Sequence, residues 1–373
     1  MRAWWMALIL AGCGRLHFDE RVAEPLVLSG PARINLNTSV PLTASGGVAP
    51  YFFALVVGNG ELDADSGMYR SPAYAGNARL EVRDATGDTA SHELSYGGDY
   101  LYAVGGHDGT TTRDDVWRSS DGAQWSVIGQ LPLTREGGVF IVHEDRMLYL
   151  GGADVPDGVA GDHVFESFDG VTWTQIGQLP EPREAPGGAV FRGRVWIGGG
   201  IGVPSSVAFT AQVWSSADGI TWQPEPPLPG PLHGAAFVPW RDQLWSVAGH
   251  EAAGQLAALS AYDGTSWRSA GAVPVAGEYH ATTVIDDQLW IAGGVGLFDR
   301  VVTTSDGVAF ADRGNLSGQR SHAGMFSFAG EIWIVGGTPS QPVHSPDGSA
   351  WSTAGMFPAS PMFGTRYVTF TPR

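Results

Sequence analysis

Leu101-Tyr102-Ala103-Val104-Gly105-Gly106 is an apolar, strand-forming run that stops on a pair of glycines, and the chain repeats it five times. The further copies are Leu148-Tyr149-Leu150-Gly151-Gly152, Trp196-Ile197-Gly198-Gly199-Gly200 and Leu244-Trp245-Ser246-Val247-Ala248-Gly249, then Leu289-Trp290-Ile291-Ala292-Gly293-Gly294 and Ile332-Trp333-Ile334-Val335-Gly336-Gly337. Each is followed by a second motif, hydroxyl-x-Asp-Gly-x-x-aromatic. Its copies are Asp121-Gly122 with Trp125, Asp169-Gly170 with Trp173, Asp218-Gly219 with Trp222, Asp263-Gly264 with Trp267, Asp306-Gly307 with Phe310, and Asp347-Gly348 with Trp351. The hydroxyl belongs to Ser119, Ser167, Ser216, Thr304 or Ser345, and Ala261 stands in its place once. A period of roughly 41 to 49 residues is the length of one supersecondary unit that buries its apolar faces against its neighbours. Asp-Gly is hairpin chemistry, which helical solenoids lack. The fold class is all-β.

Each part of the repeat has an expected task. The Asp-Gly pair supplies positive-φ positions for a tight hairpin between two outer strands. The aromatic three residues on packs into the seam between neighbouring sheets. The glycine pair ends an inner strand where side chains would collide near a crowded axis.

Over about 275 residues this pattern resembles the kelch-repeat β-propellers of the galactose oxidase/kelch-type superfamily. The glycine doublets set it apart from WD40 proteins, and the chain has no Trp-Asp dipeptide. The resemblance implies a six-bladed kelch-type β-propeller over residues 97–373. Family repeats open their innermost strand with arginine or histidine after a proline-rich link; Arg135, Arg183, His233, His280, Arg320 with His322, and Arg366 stand in comparable places. The first repeat has no innermost strand of its own. The strand-like ending Thr365-Arg366-Tyr367-Val368-Thr369-Phe370 is expected to pair beside Tyr100–Val104 and close the ring, leaving no open sheet edge.

Residues 25–96 have a different texture. Pro50-Tyr51-Phe52-Phe53-Ala54-Leu55 and Ala78-Arg79-Leu80-Glu81-Val82 are separated by turn clusters such as Ser45-Gly46-Gly47 and Asp84-Ala85-Thr86-Gly87. This segment resembles bacterial Ig-like surface domains, which implies a small β-sandwich acting as a stalk. Ahead of it, Arg2, the apolar run Trp4 to Leu10, and Leu10-Ala11-Gly12-Cys13 resemble a bacterial lipoprotein signal with its lipobox. The resemblance implies a signal peptide over residues 1–12, lipidation of Cys13, and a linker over 13–24. Cys13 is the only cysteine, so no disulfide is expected. The apolar run is too short to span a bilayer. Membrane attachment is therefore expected through lipid alone, in the cell envelope, and Gly14 after the cysteine suggests the outer membrane.

The formal charge is −17 and every basic residue is arginine. Such a surface repels phosphate backbones, so no nucleic-acid partner is expected. The mouth of the ring is the candidate binding site, with Arg135, Glu136, Arg183, Glu184, His233, His280, Arg320, His322 and Arg366 as its residues. Strand openings and the loops after the glycine pairs add His107, His250, Glu278 and Tyr279 among other candidates. Convergent arginines and carboxylates suit an anionic sugar or a peptide carboxylate. The competing reading is that the recurring Arg and His residues satisfy carbonyl groups of adjacent blades.

Galactose oxidase chemistry depends on a cysteine cross-linked to tyrosine, and a ring without cysteine excludes it. Neither Asp63-x-Asp65-x-Gly67 nor Asp154-x-x-Asp157-x-x-x-x-Asp162-His163 fits an oxygen-ligand template, so no cofactor or metal is expected. No catalytic residue is assigned. The expected role is a monomeric, non-catalytic propeller that binds a protein or glycan. The alternative is a carbohydrate-active enzyme such as a kelch-type sialic-acid mutarotase, with Arg135-Glu136 and Arg183-Glu184 as suitable residue types. A sialidase-like hydrolase ranks lower, because sialidase boxes carry one more residue between aspartate and glycine.

Overall fold

The chain divides into two units, Met1–Gly97 and Gly98–Arg373. The computed structural model describes residues 24–34, 39–72, 76–96, 100–154, 159–202, 208–297, 299–337, 341–355, 357 and 364–370. Cys13 and the lipobox lie outside the described residues, as does Asp157.

In the first unit, period-two alternation builds a sheet with one buried face. Phe52–Val57 pairs antiparallel with Gly76–Arg83, which pairs with Thr89–Tyr96, and Arg33–Ile34 lies parallel to Thr89–Tyr96. Ala78, Leu80 and Val82 are buried together with Leu28, Phe53, Tyr69, Leu94 and Tyr96, while intervening residues face outward. At Asp63, Oδ1 accepts the amides of Asp65 and Ser66, so this carboxylate closes its own turn.

Among the described residues of the second unit, six four-stranded antiparallel sheets follow one another along the chain. The second is typical. Val139–His143 pairs with Arg146–Leu150, that strand with His163–Ser167, and the last with Thr174–Gln178. The first sheet takes its strands from both ends of the unit: Tyr100–Val104 pairs on one side with Asp115–Ser119 and on the other with Arg366–Phe370, Leu101 opposite Thr369 and Ala103 opposite Tyr367.

The sheets join through apolar seams. Tyr102, Val104 and Val368 of the first sheet pack on Phe140, Tyr149 and Phe165 of the second. Equivalent clusters link the second to the third, the third to the fourth, the fourth to the fifth and the fifth to the sixth. A further cluster places Phe328, Trp333 and Val335 of the sixth sheet against Leu101, Trp117 and Tyr367 of the first. The succession therefore returns to its start. The motif aromatics take part as expected: Trp173 lies in the first of these seams, and Trp125 packs beside Phe357 in the last.

Two expectations about the repeat need correction. In the Asp-Gly turns only the glycine has positive φ, for example Gly122 at 76° and Gly170 at 78°. The aspartate works through its side chain: Asp121 Oδ1 accepts the amides of Ala123 and Gln124, and Ser119 Oγ accepts that of Gly122 at 2.8 Å. Where Ala261 removes the hydroxyl, Gly264 opens to φ 107°.

The glycine doublets, in turn, are required by the neighbouring sheet and not by crowding at an axis. Gly105, Gly151, Gly199, Gly293 and Gly336 are all left-handed, and Ala248 fills that position at φ 54°. The second residue of the first five pairs donates its amide to the link leading into the next sheet: Gly106 to the Arg135 carbonyl at 2.8 Å, Gly152 to Arg183, Gly200 to Leu232, Gly249 to Gly277 and Gly294 to Arg320. A Cβ on Gly105, Gly151, Gly199 or Gly293 would strike a carbonyl of that same link, and one on Gly152 or Gly200 would strike the link entering its own sheet.

Candidate functional site

The first five links between sheets run through an apolar anchor and, in the first four of them, a proline: Leu131-Pro132, Leu179-Pro180, Leu228-Pro229, Val273-Pro274 and then Leu316-Ser317. The anchors are all buried. Counting on from them aligns Glu136, Glu184, His233, Glu278 and Ser321, and after these Gly137, Ala185, Gly234, Tyr279 and His322. The second group has left-handed backbone, φ 49° to 65°, and Gly364 shares it at 65°. Their amides and carbonyls bond one to the next around the channel: Gly137 to Gly364 at 2.9 Å, Ala185 to Gly137, Gly234 to Ala185, Tyr279 to Gly234, and His322 to Tyr279 at 3.2 Å. A rigid collar results, and the first group projects its side chains from it.

This frame corrects the sequence alignment of the candidates. Arg135, Arg183 and Arg320 share one position; His233 belongs with the glutamates, His280 lies just ahead of the strand Ala281–Ile285, and Arg366 opens the strand Arg366–Phe370. The three arginines are buried in the seams. Arg183 donates to Gln212 Oε1 at 2.7 Å, to Glu181 Oε2 at 2.9 Å and to the Pro182 carbonyl, with its guanidinium 4.6 Å from the Trp214 ring. Arg135 donates to the Thr134 carbonyl and lies 3.4 Å from His163 Nδ1. Arg320 donates to the Gly336 carbonyl, and burial lowers its pKa to about 10. Of the four arginines expected at the mouth, Arg366 alone lines the channel.

The channel holds a cavity of about 210 Å³ whose lining includes Tyr279, His280, His322 and Arg366 among small residues such as Gly138, Gly188 and Ala235. Arg366 Nε donates to the Gly138 carbonyl at 2.5 Å. The His322 and Tyr279 rings stack with centroids 3.9 Å apart. Burial, then Arg366 and His107, hold the His322 pKa down at about 3, so its imidazole is neutral. His280 is buried with Nδ1 2.6 Å from the Gly293 carbonyl, which fixes its ring against the doublet of its own sheet.

The carboxylates divide into two groups. Glu136 Oε2 is 3.0 Å from His107 Nε2. Burial, reinforced by the nearby Glu184 and opposed by Arg366, raises the Glu136 pKa to about 7. Burial raises that of Glu184 as well. On another stretch of the collar, Glu278 faces His250 with Oε1 3.3 Å from Nδ1, and its Oε2 lies 3.8 Å from His233 Nε2. His233 Nδ1 is 3.1 Å from the Tyr279 hydroxyl. In the proline-anchored register Glu278 aligns with Glu136 and Glu184, a sequence signal for its place on the collar, whereas His250 directly follows Gly249.

No family model matches the chain, and no curated protein matches it either. Among solved structures, one titled "Structure of YjhT" is similar in fold at 14% sequence identity, with a TM-score of 0.54 over 69% of this chain and 98% of that one. The second unit is a β-propeller. Its sheets are the blades, the collar surrounds the channel on the side of the inter-blade links, and the strand Arg366–Phe370 is the innermost of the first blade. Identity at this level carries the architecture and nothing about chemistry.

Proposed function

We propose that the protein is an envelope-anchored, six-bladed kelch-type propeller that catalyses acid–base chemistry at the anomeric centre of a sugar, as a mutarotase does. The observation that carries this is Glu136, a channel-mouth carboxyl whose pKa is raised to about 7 beside a second carboxyl, Glu184. Burial raises both groups and the charge of Glu184 raises Glu136 further, so together they can offer one carboxyl and one carboxylate near neutrality. That pair suits anomer exchange. One carboxylate takes the proton of the anomeric hydroxyl as the ring C–O bond breaks, and the other carboxyl gives a proton to the ring oxygen, leaving an open-chain carbonyl. Rotation and reclosure by the reverse transfers give the other anomer. Arg366 supplies a cation for an acidic sugar such as a sialic acid. The same reading takes residues 25–96 as an Ig-like stalk and Cys13 as the lipid anchor; Cys13→Ser should release the protein from the membrane fraction.

Exchange between the anomers of N-acetylneuraminic acid, followed by NMR, tests the activity. Acceleration by the wild-type protein that falls at least tenfold in Glu136→Gln is expected; no acceleration over buffer would overturn it. The non-catalytic binding reading is favoured by one observation, the burial of Arg135, Arg183 and Arg320 in the seams, which leaves little positive charge at the mouth. Glycan-array binding without rate enhancement would establish that reading instead.

A further inference from the structure

We infer that His233, His250 and Glu278 form a binding site for a divalent metal ion of the zinc class, with the two imidazoles and one carboxylate as ligands. The site is independent of the sugar chemistry above. His233 and His250 are locked face to face by a reciprocal backbone pair, each amide donating to the other's carbonyl at 2.9 and 2.8 Å. That cross-strand pairing puts both imidazoles on one side of the ladder, 5.1 Å apart and stacked at 26°. Glu278 comes from the link into the next blade and turns its carboxyl toward both rings.

The donor atoms of the three residues lie within 4.8 Å of one another. An ion held at about 2.1 Å by each ligand in tetrahedral geometry needs donors roughly 3.4 Å apart. Glu278 Oε1 lies 3.3 Å from His250 Nδ1 and Oε2 lies 3.8 Å from His233 Nε2, so each carboxylate oxygen faces one imidazole nitrogen near this spacing. Two further observations point to a ligand. Glu278 is 8% exposed, and its Oε2 is buried without a hydrogen-bond donor, which is costly for a carboxylate oxygen unless a cation meets it. His233 is equally buried, and Nδ1 faces the Tyr279 hydroxyl, an outer partner that holds the ring with Nε2 toward Glu278. Phe209 packs on both imidazoles at 4.6 and 5.9 Å and walls off one side. His250 is the more exposed ligand, so a fourth position opens toward solvent there. Two nitrogens and a carboxylate with one open position is a donor set of zinc character, and unlike the all-oxygen sets of calcium.

The test uses the full chain without an affinity tag, stripped with EDTA and titrated calorimetrically with ZnCl2. One equivalent should bind, at least tenfold more weakly in His250→Ala and in Glu278→Gln. His344→Ala, which breaks the remote His344–Glu331 pair, should bind as the wild type does. A second readout needs no variant: Zn2+ should protect the part-exposed His250 from diethyl pyrocarbonate. Failure to bind one equivalent, binding indifferent to both substitutions, or modification of His250 unaffected by Zn2+ would each overturn the site.

Discussion

Gly106 donates its amide to the carbonyl oxygen of Arg135 at 2.8 Å, across the boundary between the first and second blades. The adjacent Gly105 is left-handed, and a Cβ there would drive into that same carbonyl. Gly193 has a similar φ of 69° with nothing within 4 Å of its Cβ position. Gly193→Ala should therefore cost only the backbone preference, about 1–2 kcal/mol. Gly105→Ala should cost roughly 3 kcal/mol or more, because the inter-blade bond must yield as well. Thermal melts of the two variants check this, and equal losses would refute the close-approach argument.

Tyr367 belongs to the last described strand yet packs against Phe357 and Phe326 in the seam between the sixth and first blades. Tyr367→Ala should destabilise by about 3–5 kcal/mol. A deletion beginning at Arg366 should be worse still, since it also strips Tyr100–Val104 of a pairing partner. Unchanged unfolding of the deletion by denaturant or heat would show that this strand does not close the ring.

Glu136 makes stability depend on pH with a defined sign. Its folded pKa, about 7, lies above the ordinary 4.5, so between these values the native state holds more protons than the unfolded chain. This carboxyl's contribution is therefore fully present below about 4.5 and is lost as pH rises through about 7. Glu136→Gln should remove that component, and the difference between the two stability–pH curves should fall within this window. Under the catalytic proposal, the anomer-exchange rate should change over the same pH range.

Arg183 is a seam residue, held by Gln212, Glu181 and the Trp214 ring. Lysine cannot reproduce the planar fork or the stacking. Arg183→Lys should lower stability by about 1–3 kcal/mol while leaving sugar chemistry at the mouth intact. A loss of sugar binding with unchanged melting temperature would instead return Arg183 to the site.

The parts of this fold that read directly from the chain are those where backbone geometry admits few residues. The doublets at Gly105-Gly106 or Gly293-Gly294 answer to a left-handed backbone and a close approach, and the Asp-Gly turns to positive φ plus a side-chain acceptor. The collar is less legible in the chain. Gly137, Gly234 and Gly364 mark it, but Ala185, Tyr279 and His322 adopt the same φ without announcing it. Arginines and histidines recurring near strand starts blurred the register further, because type alone does not distinguish a guanidinium turned into a seam from one facing a channel.

By itself the sequence determined the all-β repeat and the places where strands must stop and turn, because these are local demands of sterics and hydrogen bonding. Which side chains meet was decided only in three dimensions. Glu136 acquires its raised pKa from burial and from Glu184 in the next link, and Glu278 meets His233 and His250 only because consecutive blades bond through the collar. Desolvation and donor geometry depend on distances between separate blades, and the order of residues along one strand does not contain them.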